Sequence, residues 1–360
     1  MCSRLHDLRT RLASASLDAL LVTGREDIYY LSGFTGSAGA LLVTADARLL
    51  VSDFRYTGQA ALEAPDWPFR QADGPLFPAL RARLAEAGVA TVGYDATQVT
   101  LAQYAQLGGD DPALPFRLCP EPGLLTAMRL VKSPAELARM RAAAALTDAA
   151  CADLISRVRA GVTERELALG AEWFMRTHGA TRVAFDLIVA AGPRSALPHA
   201  QPTDRPLQAG DLLVIDLGAE LDHYCADLTR TVAVAAALPR ARALYRLCRQ
   251  AQQAGVEGIR AGMTGHDADR LCRAVIEDAG FGDYFGHGTG HGVGLAVHEE
   301  PRLRPGVDTV LPAGAAVTLE PGIYLPEFGG VRIEDLVVLT AEGCDVLTAA
   351  PKPEELPVCG

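Results

Sequence analysis

The amino-acid sequence predicts a mixed α/β (α+β) fold, with a small N-terminal α/β domain at residues 1–130 and a larger domain at residues 131–360. Helix and strand patterns alternate through the first part. The second part carries one pattern twice, in which two helices precede a pair of strands. A chain of 360 residues is also about two domains long, at roughly 150 residues each.

The N-terminal strands are predicted from short apolar runs and the turns that separate them. Ala19–Val22 is the first such run, and Gly39–Thr44 with Ala47–Asp53 is typical of a β-hairpin. A helical pattern then ends at Gly88, and a further strand is expected at Val92–Tyr94. We therefore expect a small α/β domain.

A new helix is predicted at the start of the second domain. Ser133 is a suitable N-cap, Pro134 occupies the first helical position, and Glu136 is placed to complete a capping box. The domain boundary is expected at this point.

The second domain contains an internal repeat. The pattern Arg-Ala-Gly-x-Thr precedes a predicted helix at 159–163 and again at 260–264, about 100 positions later. The period is too long for a solenoid, so it predicts one helix-helix-hairpin unit used twice around a pseudo-two-fold axis. Three pairs of polar residues are separated by about the same number of positions as the two copies of this pattern: His199 and His298, Asp216 and Glu320, and Asp227 and Glu334.

Two predicted strands in the first copy carry acidic residues where apolar ones are expected. Leu212–Ile215 is continuously apolar and ends in Asp216, and a tight glycine-containing connection leads to Asp227–Val232. The second run alternates, so Asp227 and Thr229 share one face. A buried unpaired carboxylate costs several kcal/mol, and no Lys or Arg recurs at matching positions in both strands. A bound cation is the simplest compensation.

If the two copies pair face to face, their hairpins bring four carboxylates into one pocket: Asp216, Asp227, Glu320 and Glu334. Only cations make such a pocket stable, and carboxylates with one imidazole suit Mn²⁺, Co²⁺ or Zn²⁺. Because carboxylates bridge, four of them can hold two ions. The imidazole is expected from the glycine-rich segment 287–298, which contains three histidines.

Other functional classes lack their signatures. The net charge of −11 and the absence of a long Lys/Arg run argue against nucleic acid or an anionic membrane as a partner. No complete GxGxxG, GxxxxGK[ST], HExxH, GxSxG or CxxC pattern is present. Neither a signal peptide nor an apolar segment of about 18 residues is found, so we expect a cytoplasmic protein with free cysteines.

Five motifs occur in the order typical of a known family: PHAQPT (198–203), IDLGAELDHYCADLTRT (215–231), HGTGHGVGLAVHEEPRL (287–303), TLEPGIY (318–324) and GGVRIED (329–335). The pattern strongly resembles the pita-bread metallopeptidases, and among them the Xaa-Pro peptidases, prolidase and aminopeptidase P. FTGSAGALLVT and DFRYTGQA in the N-terminal part are similar to the short bacterial members. The resemblance implies a pita-bread catalytic domain at residues 131–360, in agreement with the internal repeat.

The resemblance also implies which residues hold metal. They are the ligands of two divalent cations, Mn²⁺ before Co²⁺ or Zn²⁺: Asp216, Asp227, His291, Glu320 and Glu334. Asp227 and Glu334 would bridge the ions, Asp216 would serve one, and His291 with Glu320 the other. All five positions carry metal-binding residue types. This disfavours creatinase-like and non-enzymatic relatives, which have lost ligands.

A mechanism follows from the same resemblance. A water held between the two ions attacks the peptide carbonyl, and Glu320 is the expected proton shuttle. His199 and His298 are expected to donate to the tetrahedral intermediate. The residues expected to contact substrate are His287, Arg302, Tyr324 and Arg332, the last of which shares a predicted strand face with Glu334.

The expected function is hydrolysis of the Xaa-Pro bond of short proline-containing peptides, and two modes stay open. A dipeptidase needs a cation for the carboxylate of the dipeptide, and Arg302 resembles the arginine that some prolidases place there. A solvated loop arginine is the other interpretation. An aminopeptidase would leave that side open for longer peptides. A methionine-aminopeptidase-like or other non-proline exopeptidase is the alternative, and a non-enzymatic binding module is disfavoured.

A homodimer is what the family suggests. The polar group Asp53-Phe54-Arg55-Tyr56 lies at a predicted strand end and is interpreted as a capped turn with one salt bridge. In a dimer, Asp53, Arg55 and Tyr56 would be candidates for reaching the pocket of the partner.

Overall fold

A computed structural model describes residues 2–121 and 123–360 of the chain. The chain divides into two compact units, Met1–Met128 and Arg129–Gly360. Within the described residues, no helix is both long enough and apolar enough to cross a membrane. The seven cysteines whose side chains are described are free thiols, as predicted, while the side chain of Cys2 lies outside the described part.

The first unit is built on a six-stranded mixed sheet. Its strands, in spatial order, are β4 (Phe69–Gln71), β3 (Arg48–Ser52), β2 (Ala40–Thr44), β1 (Ala19–Val22), β5 (Thr91–Tyr94) and β6 (Arg117–Pro120). Its helices are α1 (Cys2–Ser14), α2 (Arg25–Ser32), α3 (Thr57–Glu63), α4 (Leu76–Glu86), α5 (Leu101–Leu107) and α6 (Leu124–Leu130), which continues past Met128. The predicted hairpin is confirmed, because β2 and β3 pair antiparallel.

The turn after β3 agrees with its predicted form. Asp53 caps a short 3₁₀-helix at Phe54–Tyr56 by accepting the Arg55 backbone N–H. The Arg55 side chain returns to the same carboxylate, with Nη2 lying 2.8 Å from Oδ2. A capped turn with one salt bridge is therefore confirmed, and the pairing lowers the pKa of Asp53 through the hydrogen bond from Arg55.

Two helix pairs form the frame of the second unit: α7 (Pro134–Ser156) with α8 (Glu164–Thr177), and α9 (Pro239–Gly258) with α10 (Gly265–Asp278). The predicted capping box of Ser133 and Glu136 opens α7. The repeated Arg-Ala-Gly-x-Thr pattern ends in both copies in a threonine N-cap, Thr163 for α8 and Thr264 for α10. Each threonine completes a capping box, so both predicted helix starts are confirmed.

The strands of the second unit form a duplicated set. The first copy contains β7 (Arg182–Val183), β8 (Ile188–Ala191), β9 (Leu212–Leu217), β10 (Ala219–Leu221), β11 (Tyr224–Cys225) and β12 (Leu228–Val234). The second contains β13 (Gly290–Gly292), β14 (Glu299–Leu303), β15 (Ala316–Leu319), β16 (Gly322–Leu325), β17 (Gly329–Arg332) and β18 (Asp335–Leu339), followed by β19 (Cys344–Val346) and β20 (Val358–Cys359). The two larger sheets have the orders β20-β12-β9-β8 and β14-β13-β15-β18-β19.

The same antiparallel pair occurs in both copies. Strand β9 pairs with β12, and β15 pairs with β18. In each copy a short two-stranded ribbon is inserted between the paired strands, β10 with β11 in the first and β16 with β17 in the second. The predicted unit used twice is therefore confirmed. Each half also has its own apolar core, with Ile215 and Val232 in one and Val317 and Val337 in the other.

One detail of the first copy was predicted wrongly. The connection from β9 to β12 is the ribbon β10–β11 rather than a single tight turn. Its tip is formed by Asp222 and His223, both in the left-handed region with φ of 48° and 68°. Asp and His tolerate this conformation better than most residues with a Cβ atom, which allows a turn without glycine.

The two halves are joined where the acidic strands meet. The Glu334 backbone N–H donates to the Thr229 carbonyl at 3.1 Å. The Thr231 hydroxyl donates to the Arg332 carbonyl at 2.8 Å. These bonds hold the segment before β18 against β12, so the two sets of acids face the same space.

A buried charge cluster fixes the start of β14. Glu299 is 6% exposed at its side chain and pairs with Arg129 and with Lys132, whose Nζ lies 3.2 Å away. Burial alone would raise the pKa of Glu299, but the charges of Lys132 and Arg129 outweigh it and lower the pKa below the ordinary 4.5. The carboxylate is thus ionised and paired in the folded protein.

Replacing Glu299 with Gln should destabilise the protein by about 3–5 kcal/mol at neutral pH, because two buried cations lose their partner. A lowered pKa stabilises the fold above the ordinary pKa of 4.5, and this contribution is lost as the pH falls through the folded-state value. The difference from wild type should therefore shrink below about pH 4.5, measured by urea unfolding across pH. E300Q, at the neighbouring exposed acid, should stay near wild type; an equal loss in E300Q would contradict the assignment.

Candidate metal centre and active site

The acids of the site lie at the ends of the duplicated strand pairs. Asp216 is in β9 opposite Thr229 of β12, and Asp227 directly precedes β12. In the second copy Glu320 directly follows β15, and Glu334 directly precedes β18. Asp216 therefore lies within a strand and the other three acids directly adjoin one, which limits the movement of their backbone.

These acids open into one cavity of about 460 Å³. Of the eleven residues predicted for the site, ten line it: His199, Asp216, Asp227, His287, His291, His298, Arg302, Glu320, Arg332 and Glu334. Tyr324 does not line the cavity, but its hydroxyl contacts His287 and Arg332, which do. The structure thus brings together all the residues that sequence reasoning selected.

Three of them form the tightest group of potential metal ligands. One ligand atom each of Asp227, His291 and Glu334 lies within 4.8 Å of the others. His291 Nε2 is 3.6 Å from Asp227 Oδ2 and 3.2 Å from Glu320 Oε1. These separations suit donors that surround one cation, with a further carboxylate close by.

The orientation of His291 leaves one nitrogen available. Its Nδ1 lies 3.1 Å from the Gly292 carbonyl oxygen, which can only accept, so Nδ1 carries the proton and Nε2 presents a lone pair to the cavity. The Thr318 hydroxyl accepts the His291 backbone N–H and donates to Glu320 Oε1, both at 3.1 Å. Thr318 therefore orients two candidate ligands at once.

Arg332 links the acids of the first copy to the second. Its Nη2 donates to Asp216 Oδ2 at 2.5 Å, and its Nε donates to the Thr229 hydroxyl at 3.1 Å. Thr229 in turn donates to Glu334 Oε2 at 2.6 Å. Arg332 therefore compensates part of the charge of Asp216, and it reaches this acid from the other half of the repeat.

Arg332 compensates the negative charge of the site only in part. The carboxylate oxygens that are left without a partner indicate whether the site suits a metal ion. Asp216 Oδ1 and Glu334 Oε1 are buried and have no hydrogen-bond partner among the described residues. Buried carboxylate oxygens in this state are costly, and a divalent cation would satisfy both. The donor set of carboxylates with one imidazole also matches the ligands that Mn²⁺, Co²⁺ and Zn²⁺ use in proteins.

The electrostatics lead to the same conclusion. Burial raises the pKa of Asp227 well above the ordinary 3.8, and the charges of Glu334 and Asp216 raise it further. Burial likewise raises the pKa of Glu334 well above 4.5, with the charges of Glu320 and Asp216 adding to the effect. Burial raises the pKa of Asp216 despite the opposing charge of Arg332. In the absence of a cation, ionisation of Asp216, Asp227 and Glu334 is therefore disfavoured.

A hydrogen-bond chain forms one wall of the cavity. His287 Nδ1 is 2.8 Å from the Gly288 carbonyl, so this nitrogen donates and Nε2 accepts from the Tyr324 hydroxyl at 2.9 Å. The same hydroxyl accepts from Arg332 Nη1 at 2.8 Å. Burial raises the pKa of Tyr324 to about 12, so its hydroxyl stays protonated in the physiological range.

His298 lies beside the candidate ligand His291, with ring centroids 4.4 Å apart. Burial and the adjacent His291 lower the pKa of His298 to about 4. A neutral imidazole at this place still offers one N–H to a bound molecule.

Sequence reasoning missed several cavity residues, among them Phe185, Gln201 and Arg304. Arg304 had a readable signal, because Arg302, Leu303 and Arg304 alternate and Leu303 is fully buried, which places both arginines on the other face. Phe185 and Gln201 lie in irregular segments, where the sequence offers no such period.

Asp216, Asp227, Glu320 and Glu334 lie with His291 at one cavity of a duplicated α/β unit. This is the arrangement of a metal-dependent hydrolase with two related halves. Family models agree. "Metallopeptidase family M24" matches residues 138–341, and "Creatinase/Prolidase N-terminal domain" matches residues 4–131. The chain belongs to metallopeptidase family M24.

Individual relatives cover nearly the whole chain. The Xaa-Pro dipeptidase of Pyrococcus horikoshii is 36% identical over 92% of this chain and 93% of its own length. The structure of an Xaa-Pro dipeptidase from Bacillus anthracis is 39% identical, covers 99% of both chains and has a TM-score of 0.94. An X-Pro aminopeptidase from Thermotoga maritima is 35% identical over 95% of this chain and 98% of its own, with a TM-score of 0.85. The predicted pita-bread fold is confirmed by these likenesses.

Adding Mn²⁺ to metal-free protein should raise its Tm by about 5–10 °C at a concentration about 100 times Kd, because the ion binds only the folded state. Since burial raises the pKa values of Asp227 and Glu334, protons compete with the ion. The shift should be smaller at about pH 5.5 than at about pH 7.5. The D227N variant should lose most of the Tm increase that Mn²⁺ causes, because a candidate ligand is removed. The D222N variant, at the exposed tip of the ribbon, should keep this increase. Equal shifts in the two variants would contradict the site.

Proposed function

We propose that this protein is a metal-dependent exopeptidase that hydrolyses the Xaa-Pro bond of short peptides. The observation that carries the proposal is the cluster of Asp227, His291 and Glu334 in a cavity also lined by Asp216 and Glu320. The substrate class is supported by the similar proteins, which are named as Xaa-Pro dipeptidases and an X-Pro aminopeptidase.

Five residues are proposed to hold two divalent cations, with Mn²⁺ as the preferred ion: Asp216, Asp227, His291, Glu320 and Glu334. Hard oxygen donors with one imidazole favour Mn²⁺, and the unpaired oxygens of Asp216 and Glu334 support a ligand role for both. When bound, such ions supply an acidified water as nucleophile and positive charge for the oxyanion that develops on the substrate.

Glu320 is proposed to move the proton of this reaction. Its carboxylate lines the cavity, and although burial opposes ionisation, the hydrogen bond and charge of His291 lower the pKa of Glu320 to about 2. An ionised Glu320 can accept a proton as the nucleophilic water forms its bond to the carbonyl carbon. It then returns the proton to the proline nitrogen as the C–N bond breaks, so it acts as base and acid in turn.

His298 and His199 are proposed to donate hydrogen bonds to the substrate and to the tetrahedral intermediate, because both line the cavity. The low pKa of His298 keeps it neutral at neutral pH, so it acts as a hydrogen-bond donor and not as a source of protons. His287, Tyr324 and Arg332 form the wall that orients the substrate.

A dipeptide is the substrate that the proposal favours. Arg302 lines the cavity, is 36% exposed at its side chain and has only a loose contact with Glu300, with Nε 3.6 Å from Oε1. Its guanidinium is therefore available for the carboxylate at the end of an Xaa-Pro dipeptide. The likeness to the X-Pro aminopeptidase of Thermotoga maritima keeps longer peptides as the second candidate.

We further propose a cytoplasmic location and a homodimer. The free thiols support the location, because disulfides are rare in the cytoplasm. The dimer rests on the family resemblance. The domains are proposed to be residues 1–130 and 131–360, close to the spans that the two family models match.

Replacing Glu334 with Gln should abolish both metal loading and hydrolysis of Ala-Pro, because the site loses a charge shared by two cations. Metal content and kcat/KM on Ala-Pro measure the two effects. E342Q, which neutralises a nearby exposed acid in the same way, is the matched control. Full activity of E334Q would refute the proposed function.

Replacing Arg302 with Ala should raise KM for Ala-Pro by about tenfold or more, because the terminal carboxylate loses a charged partner worth about 1.5–3 kcal/mol. R260A removes an equal charge at an exposed position that does not line the cavity and is the matched control. Ala-Pro, Ala-Pro-Ala and a proline-free dipeptide should be assayed on each variant. If wild type cleaves the tripeptide faster and R302A changes neither substrate, the aminopeptidase mode is correct.

A further inference from the structure

His199 lies on a long connection between two strands of the first copy. The connection runs from the end of β8 at Ala191 to the start of β9 at Leu212. His199 is exposed at the cavity, and among the hydrogen bonds of the described residues none involves its ring. The position of this imidazole therefore depends on how the surrounding backbone is held.

A buried carboxylate on α8 holds that backbone. The side chain of Glu164, the first residue of α8, is completely buried. Its Oε1 accepts the Ala191 backbone N–H at 2.9 Å, and its Oε2 accepts the Thr203 backbone N–H at 2.9 Å and the Thr203 hydroxyl at 2.7 Å. The carboxylate thus binds the chain on both sides of His199.

Arg194 completes the closure of the loop. Its Nε lies 3.1 Å from Glu164 Oε2, and its Nη2 donates to the Gln201 carbonyl at 2.5 Å. Glu164, Arg194 and Thr203 together form what we call the Glu164 clasp. Between its two sides, the Pro198 carbonyl accepts from Arg332 Nη1 at 3.3 Å. The residue before His199 is therefore also connected to the arginine that contacts Asp216.

We propose that Glu164 is a positioning residue, whose buried charge fixes the His199 loop so that the imidazole faces the bound peptide. The inference rests on the proposed function, since it assigns His199 a donor role there. Glu164 itself does not line the cavity and touches no candidate metal ligand among its described contacts. Its effect reaches the reaction only through the loop.

The chemistry of the clasp requires an ionised acid. The groups that face the carboxylate are all donors: two backbone N–H groups, one guanidinium N–H and one hydroxyl. A glutamine has a single acceptor oxygen and turns an NH₂ group towards at least one of these donors. E164Q therefore keeps the shape of the side chain but opens one side of the clasp.

E164Q should lower kcat on Ala-Pro by about 10²-fold, as expected when a catalytic donor shifts by about 1 Å, while KM changes by less than about threefold. Metal content should equal that of wild type. In an H199A background E164Q should cause no further loss, because the loop no longer carries a donor. T203V, which removes one hydroxyl and leaves the carboxylate, should show a smaller loss of the same kind and replaces E164Q if that variant does not fold.

D148N is the matched control. Asp148 likewise accepts two backbone N–H groups, from Ala349 and Ala350 at 2.8 and 2.9 Å, but neither of these residues lines the cavity. D148N should therefore leave kcat near wild type. A loss in E164Q that adds to that of H199A, or an equal loss in D148N, would overturn the inference and leave Glu164 with a purely structural role.

A second measurement is independent of turnover. In ¹H–¹⁵N spectra of the histidine rings, the His199 signals, assigned by their absence in H199A, should be a single sharp set in wild type and should broaden or split in E164Q. Unchanged signals would overturn the inference. If wild type cleaves no Xaa-Pro peptide, the proposed function fails, and the spectra still decide whether Glu164 positions His199.

Discussion

The structure depends on the repulsion among four carboxylates placed in one low-dielectric cavity. Asp216, Asp227, Glu320 and Glu334 each lie at the end of a paired strand, so none can turn away into solvent without disrupting a sheet. Only part of the charge is neutralised by the protein, because Arg332 reaches Asp216 while Glu334 Oε1 remains unpaired. The fold is therefore arranged so that a cation completes it.

The duplication makes this geometry attainable. A single strand pair presents two acids on one face, and a second copy facing it supplies two more at a related position. Threonines support the acids in both halves: Thr229 donates to Glu334, and Thr318 donates to Glu320. Thr229 and Glu334 belong to different copies, so the hydrogen bond that orients this candidate ligand also joins the two halves.

The strand and helix starts of the second unit could be predicted because the repeat, the capping boxes and the alternating acids are local patterns. The convergence of the acids and histidines was also predictable, since residues in phase in two copies meet near the axis that relates them. The ribbon β10–β11 was not predictable, because strands of two or three residues are too short to show an alternation of apolar and polar residues. Arg332 bonding Asp216, and Glu299 with its two cations, join residues far apart in the chain, and no spacing rule indicates such pairs.

The histidine segments are fixed by a common device that sequence patterns do not reveal. Glu164 with Arg194 holds the His199 loop, and Glu299 with Arg129 and Lys132 anchors the strand that begins directly after His298.

A third example is Asp269, which accepts the Thr289 N–H at 3.0 Å and pairs with Arg273, whose Nη2 donates to the His287 carbonyl at 2.6 Å. In each case a buried carboxylate and a basic side chain bind backbone that carries a cavity histidine. The candidate ligand acids lie in or directly beside paired strands, whereas these imidazoles lie on loops and strand edges, which sheets alone do not hold. Buried ion pairs therefore fix the backbone of these histidines where no sheet does so.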